Sequence, residues 1–353
     1  MKKRLTLFIT LLATFILLIT GCSSSPVKPL AEANGRLMIH YLNVGQGDCT
    51  LIQTPSGKNM LIDAGNPDDF ESIDQYLQAN HVEKLEVVMA THPHSDHIGS
   101  MTKILEKYEI GALYAPKVNH NTKTYQKLLE TAASKDIQIT PVQSGVTIDL
   151  DPAVGIELFS PVYEKSYSDL NSYSPITKLT YGERAFIFTG DAETDNEEDA
   201  LAYGGNRLDA DVLKVGHHGS ETSTSKAFFN AVSPTACVIS VGKDNQYGHP
   251  DESILSLLST TDIYRTDRQG TIVAICDGDT IEFITEENAS QNQTESTGAP
   301  ADPSEITYIG NKNTQKFHRS DCSGLPKREN TVSFSSRDEA LSQGYTPCSR
   351  CNP

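Results

Sequence analysis

The segment Thr91-His92-Pro93-His94-Ser95-Asp96-His97 places three imidazoles and a carboxylate within the six positions 92–97. Imidazole suits zinc, iron and manganese-like ions, and carboxylate adds hard-ligand character. The apolar run Leu85–Ala90 before it predicts a buried strand, and Ile98–Tyr108 after it predicts a helix. The four donors therefore sit on a strand-to-helix loop. There His92 and His94, two apart, can face one ion, while the adjacent Asp96 and His97 can turn towards a second. The competing account, a polar helix entrance that holds histidines by accident, does not explain this ligand spacing.

Further donors stand where other apolar strands stop. Asp63 follows Met60-Leu61-Ile62, Asp191 follows Phe186–Gly190, and His217 and His218 follow Val212–Gly216. A rigid scaffold that aims side chains at one mouth is how active sites are built. Each has a plainer account: a turn carboxylate for Asp63, a helix N-cap for Asp191, a surface pair for His217 and His218. Short strands are expected at 37–44, 50–53, 59–62, 156–159, 177–181, 185–189, 211–215, 235–240, 263–265, 271–275 and 280–284. Helices are expected at 69–80, 125–134, 193–203, 225–231 and 251–259. Two sheets with helices outside them would bury this pattern.

The ordered segments LNVGQGDCTLI, LIDAG, THPHSDHIGS, FTGDAE, DVLKVGHHGSETSTS, ISVGKDNQYGHP and YRTDRQGTI lie within residues 38–275. Together they resemble the metallo-β-lactamase superfamily, and within it the extracellular hydrolase domain of ComEC-type competence proteins, which feed DNA uptake. The resemblance implies an α/β fold, an αββα sandwich with a metal site at one edge. His92 and His94 would bind the first of two divalent ions, and Asp96 and His97 the second. Asp191 would bridge them. His217 or His218 would complete the second site, with His218 preferred, and Asp63 would orient the site from behind. His249, in Gly248-His249-Pro250, and Arg268 would stand at the mouth to contact substrate or protonate a leaving group. A further histidine of the superfamily's first site has no counterpart here. His120 comes too soon after the loop, and the segment from Asn171 to Ser174 occupies that place, which makes Asn171 a substrate-binding candidate. A site with fewer imidazoles leans towards manganese, with zinc as the alternative. A water between two ions that share Asp191 would lose a proton near neutral pH and attack a phosphoryl or acyl centre. Asp96, Asp191 and His249 are thus the expected catalytic set.

The N-terminus adds a location. Lys2, Lys3 and Arg4 precede an apolar run from Leu5 to Thr20, the pattern of a signal peptide over residues 1–21. The sequence Leu18-Ile19-Thr20-Gly21-Cys22 resembles the lipobox of bacterial lipoproteins, which implies lipidation of Cys22 and a polar tether over 22–35. An uncleaved anchor or an ordinary secretion signal would equally place the globular part outside the cytoplasm. Acyl chains would attach the protein to the outer side of the cell membrane without spanning it. The hydrolase domain is expected over 36–286 and a disordered linker over 287–303, where apolar residues almost vanish.

The last segment, 304–353, carries His318, Cys322, Cys348 and Cys351, an Hx3C…Cx2C spacing that suits one structural zinc. It resembles the metal-binding module of the Ada DNA-repair protein, with His318 in the place of a cysteine. A disulfide from Cys348 to Cys351 or Cys322 is the alternative outside a cell. The formal net charge is −17, and loss of the three leader cations makes it more negative. Such a chain does not draw nucleic acid over long range. The first expectation is a metal-dependent phosphodiesterase or nuclease acting on DNA or a nucleotide. A hydrolase of another ester or amide (lactonase, β-lactamase, cell-wall esterase) is the second. A non-catalytic lipoprotein that binds DNA or a partner is the third.

Overall fold

A computed structural model describes residues 28–289 except 119, and residues 308–351 except 320, 321, 323, 328, 329, 335 and 336. The expected leader over 1–21, Cys22, the start of the tether and the linker from residue 290 lie outside the described residues. The chain forms two compact units that divide between Ala289 and Ser290.

The first unit is built on two sheets. One contains β1 (Leu37–Tyr41), β2 (Thr50–Gln53), β3 (Asn59–Ile62), β4 (Lys84–Met89), β5 (Glu109–Ala115) and β6 (Ile139–Pro141). The other contains β7 (Val154–Leu158), β8 (Thr177–Tyr181), β9 (Arg184–Phe188), β10 (Val212–Lys214), β11 (Ala236–Ile239) and β12 (Asp262–Arg265). The chain then returns to the first sheet as β13 (Ile272–Cys276) and β14 (Ile281–Thr285). The orders are β14-β13-β1-β2-β3-β4-β5-β6 and β12-β11-β10-β9-β8-β7.

Period-two alternation divides each strand between two cores. Leu37, Ile39 and Tyr41 of β1 face Leu158, Leu179, Phe186 and Val238 of the opposite sheet. On the outer face of the first sheet, Leu51, Leu61 and Val88 pack on helices α1 (Phe70–Ala79), α2 (Ser95–Ile98), α3 (Met101–Lys107) and α4 (Lys123–Ser134). Ile73 and Leu77 lie four apart on α1 and so share its buried side. On the outer face of the second sheet, Ile187, Leu213 and Cys237 pack on α5 (Thr194–Gly204), α6 (Lys226–Val232) and α7 (Glu252–Leu257). Full burial of each such Leu, Ile or Phe contributes about 1.5–3 kcal/mol. The layering is αββα, as expected.

Three local readings differ. The helix expected over 98–108 is split into α2 and α3. Gly99 stands between them because a Cβ there would lie 2.3 Å from the Pro67 nitrogen and 2.4 Å from the Asn66 carbonyl carbon. Strands β5 and β6 were not expected; β5 pairs in parallel with β4, and β6 with β5. Residues 286–289, partly in the expected linker, form a helical turn.

Strands β3 to β6 run parallel, as do β9 to β12. Parallel strands end at one edge, and open α/β sheets bind ligands outside those carboxyl ends. Asp63, the Thr91–His97 loop, Asp191 and His218 all follow such ends.

The second unit is a four-stranded sheet of β15 (Tyr308–Asn311), β16 (Lys316–Arg319), β17 (Thr331–Phe334) and β18 (Thr346–Pro347), in the order β17-β15-β16-β18. Phe317, Phe334 and Ala340 are its buried apolar centre.

Candidate functional site

One donor atom each from Asp96, His97, Asp191 and His218 lie within 4.8 Å of one another. His97 Nε2 is 3.1 Å from Asp191 Oδ2 and 3.8 Å from Asp96 Oδ2. His218 Nε2 is 3.4 Å from Asp96 Oδ2 and 3.8 Å from Asp191 Oδ2. Tetrahedral ligands held about 2.0–2.1 Å from an ion stand roughly 3.3 Å apart, so the four donors are spaced to share one. His97 Nε2, His218 Nε2 and Asp191 Oδ1 are buried and have no hydrogen-bond partner. Buried polar atoms nearly always have one, and a divalent cation would satisfy all three. The donor set fits the metal.

The surrounding hydrogen bonds set the imidazole tautomers. His97 Nδ1 donates to Asp63 Oδ2 at 2.7 Å, and His218 Nδ1 donates to the Ser240 carbonyl at 2.9 Å. Each bond leaves an Nε2 lone pair facing the cluster. Asp63 is itself held by the Thr91 amide at 2.8 Å and the Thr91 hydroxyl at 2.6 Å. Asp63, His217 and His218 adopt left-handed backbone, with φ of +60°, +47° and +55°. Each such residue costs of order 1–3 kcal/mol, and strain of this kind collects at functional sites. The Asp63 amide donates to the Met89 carbonyl and the His217 amide to the Gly190 carbonyl, and these hydrogen bonds hold the turns in place.

The carboxylates draw positive charge to this point: a proton on His97 or, in its place, a metal ion that takes the Nε2 lone pair. Burial alone would lower the His97 pKa, yet Asp191 and Asp63 beside it hold it well above the ordinary histidine range. Burial opposes ionisation of Asp191, but the His97 and His218 imidazoles keep its carboxyl well below the ordinary range. Asp96 behaves likewise: burial raises its pKa, and His218 and His97 overcome that.

Around the first-site pair, His92 Nε2 lies 2.9 Å from His94 Nδ1 and 3.8 Å from Asp191 Oδ2. Burial, reinforced by His97, lowers the His92 pKa well below the usual range and keeps the ring neutral. Its Nδ1 is 3.2 Å from the hydroxyls of Ser174 and Thr91. Ser174 thus supports His92 from behind, and its hydroxyl also accepts the Asp191 amide at 3.2 Å. His120 lies closer to the site than its sequence position implied: it lines the same cavity, with its ring centroid 6.4 Å from that of His94.

His218 belongs to the cluster and His217 stands beside it. His217 Nε2 is 3.8 Å from Asp191 Oδ2, while its Nδ1 faces Thr222 Oγ1 at 3.2 Å and Glu193 Oε1 at 3.6 Å. A cavity of about 410 Å³ opens over these donors, with Asn171, Tyr247 and His249 on its wall. Asn171 is buried and its Oδ1 is without a partner. Burial, then His217, pulls the His249 pKa below its ordinary value. Arg268 is not brought into this cavity; it is exposed on the short helix Thr266–Gln269.

Two residues of the site were not singled out from sequence. Asp48, in the Gly-rich turn after β1, and Lys214, at the end of β10, form a buried ion pair of 2.8 Å. Asp48 Oδ1 also lies 3.5 Å from His218 Nδ1. The only sequence signal was a lysine within an apolar strand. In the second unit, donors of His318, Cys322, Cys348 and Cys351 lie within 4.8 Å of one another, the expected zinc set.

Residues 42–243 match the metallo-β-lactamase superfamily, and residues 301–353 match the metal binding domain of Ada. ComE operon protein 3 of Bacillus subtilis (strain 168) is 30% identical over 70% of this chain and 34% of its own length. Competence protein ComA of Neisseria gonorrhoeae is 31% identical over 73% of this chain and 34% of its own length. The chain thus spans about a third of these relatives, 34% in each case. The metallo-β-lactamase fold protein YhfI of Bacillus subtilis superposes on 67% of this chain and 99% of its own, with 11% identity and a TM-score of 0.47. With the superfamily match spanning more than half of its residues, and the donor cluster at the strand ends of an αββα sandwich, the chain belongs to the metallo-β-lactamase superfamily.

Proposed function

We propose that this protein is a metal-dependent phosphodiesterase that cleaves DNA or nucleotides, and that a lipid on Cys22 tethers it to the outer side of a cell membrane. The observation that supports the reaction is the convergence of Asp96, His97, Asp191 and His218 on one point, with three of their atoms buried and unpartnered. The competence relatives favour a nucleic-acid substrate over a lactam or lactone. The leader pattern and the sequence around Cys22 support the tether.

In this reading Asp96, His97, Asp191 and His218 would hold one divalent ion, zinc or manganese. His92 and His94, beside Asp191, would hold a second. Bound divalent cations would supply an activated water at neutral pH and neutralise charge developing on a phosphoryl group. The protein's own residues do the rest. Asp63 and Ser240 keep His97 and His218 in the tautomer that presents Nε2. Asn171 and His249 line the cavity and contact the diester, with His249 placed towards the leaving oxygen. Arg268, outside the cavity, has no part in it. His318, Cys322, Cys348 and Cys351 hold a structural zinc in the second unit.

The test is turnover of bis-p-nitrophenyl phosphate, single-stranded DNA and nitrocefin with added manganese or zinc. Diester cleavage that disappears in Asp96→Ala and Asp191→Ala is expected. Nitrocefin cleavage alone would shift the reading to amide hydrolysis. Silence on every substrate, with metal bound, would overturn catalysis.

A further inference from the structure

Tyr247 is 62% exposed and lies on the rim of the metal cavity. Its ring stacks on the His249 imidazole, with centroids 5.7 Å apart and planes at 25°. The His249 ring in turn meets His217 edge-on at 5.7 Å and 74°. His217 Nε2 is 3.8 Å from Asp191 Oδ2. A short series of rings therefore runs from solvent to the carboxylate at the centre of the site.

The loop that presents Tyr247 is pinned. Asn245 Oδ1 accepts the amides of Tyr247 at 3.2 Å and His249 at 3.1 Å. Its Nδ2 donates to the carbonyls of Gly242 at 3.0 Å and His249 at 2.7 Å. One side chain thus fixes four backbone groups. An exposed aromatic ring on a pinned backbone offers apolar area that a partner can cover, and pre-organisation of that backbone lowers the ordering cost of covering it.

We propose that the free face of Tyr247 is the platform on which one nucleobase of the substrate stacks. The inference rests on the phosphodiesterase reading for placing the phosphate at the metal ligands. Three observations favour a base as the occupant. The His249 ring already lies nearly parallel to Tyr247 on its cavity side, so a flat group on the solvent side extends the same arrangement. The cavity, about 410 Å³, is in the size range of small-ligand sites rather than of a duplex groove. The formal net charge of −17 gives no long-range pull on a polyanion, so affinity has to come from close contact. Stacking of a base on an aromatic side chain supplies such close contact whatever the base. Bases within a duplex are already stacked on each other, so the favoured substrates are single strands or free nucleotide ends.

The experiment uses the metal-loaded full chain and calorimetric titration with thymidine 5′-phosphate and with 2-deoxyribose 5-phosphate, which lacks the base. Wild type should bind the base-bearing ligand about tenfold more tightly, the effect of roughly 1.4 kcal/mol of stacking. Tyr247→Ala should lose that discrimination and Tyr247→Phe should keep it. Equal binding of the two ligands by wild type, or full discrimination in Tyr247→Ala, overturns the platform. Hydrolysis of thymidine 5′-p-nitrophenyl phosphate reports on the reaction separately. If the discrimination holds and no diester is cleaved, the platform stands and the phosphodiesterase reading falls.

Discussion

Nδ1 of His97 lies 2.7 Å from Oδ2 of Asp63, and both side chains are fully buried. This bond turns Nε2 of His97 towards Asp191 and makes the ring a better donor. Carboxylates behind a ligating histidine typically affect metal affinity by about 10–100-fold. Asparagine tolerates the φ of +60° at this position, so Asp63→Asn removes the charge and spares the turn. The variant should bind manganese or zinc at least about tenfold more weakly, read by competition with a chromogenic chelator. Unchanged affinity would show that Asp63 does not support the ligand.

Behind His218 the ion pair of Asp48 and Lys214 has side chains 6% and 2% exposed. Removing one partner of a buried pair strands the other charge and costs about 3–5 kcal/mol, whereas replacing both is often near neutral. Lys214→Met should therefore destabilise the first unit by about 3–5 kcal/mol. The double variant Asp48→Asn with Lys214→Met should recover most of that loss. Urea unfolding curves decide it, and equal destabilisation of the single and double variants would contradict the account.

The sandwich was legible because its strands are short runs bounded by turn residues, and β2, β3 and β8 fall where those runs placed them. Strand β5 was hidden because its first half is partly exposed and carries Gly111, a residue ordinarily depleted in strands. Gly111 is there because a Cβ would lie 2.5 Å from the Glu86 carbonyl oxygen on β4. The ligand loop could be read because its donors are local. Lys214 could not, since its partner Asp48 arrives from the distant turn between β1 and β2 and the sequence shows only a cation inside an apolar strand. The position of His120 depends on the path of the chain after β5, which spacing along the sequence does not encode.

Asp151 offers a pH test far from the ligands. Its Oδ2 accepts the Ser56 hydroxyl and, at 3.2 Å, the Ser56 amide, while Oδ1 accepts the Ala153 amide at 2.9 Å. Burial alone would raise its pKa, but these donors bring it down to about 2. An unfolded aspartate titrates near ~3.9. The folded value is the lower one, so the contribution is complete above pH ~4 and is lost as pH falls towards ~2. Asp151→Asn should cost about 1–3 kcal/mol at pH 7. The gap between wild type and variant should narrow steadily below pH ~4. Denaturant titrations across that range check the sign; a gap that widens with acid would refute it.

The second unit makes the sharpest demand for metal. Among the described residues its buried apolar centre is Phe317, Phe334 and Ala340, few side chains to hold a sheet of four strands. His318 Nδ1 is 3.4 Å from Cys322 Sγ, and the amide of Cys348 donates to Phe317 at 2.9 Å, which ties the ligand set to that core. No disulfide joins Cys322, Cys348 and Cys351 among the described residues. Unfolding of small zinc domains follows loss of their metal. A strong chelator should therefore make residues 308–351 protease-sensitive and expose three thiols to Ellman's reagent. The buried Cys49, Cys237 and Cys276 of the sandwich should remain protected. Cys351→Ser should lower zinc content and protease resistance together. If one thiol reacts with or without chelator, and a reductant is needed to release two more, the site holds a disulfide and the zinc assignment fails.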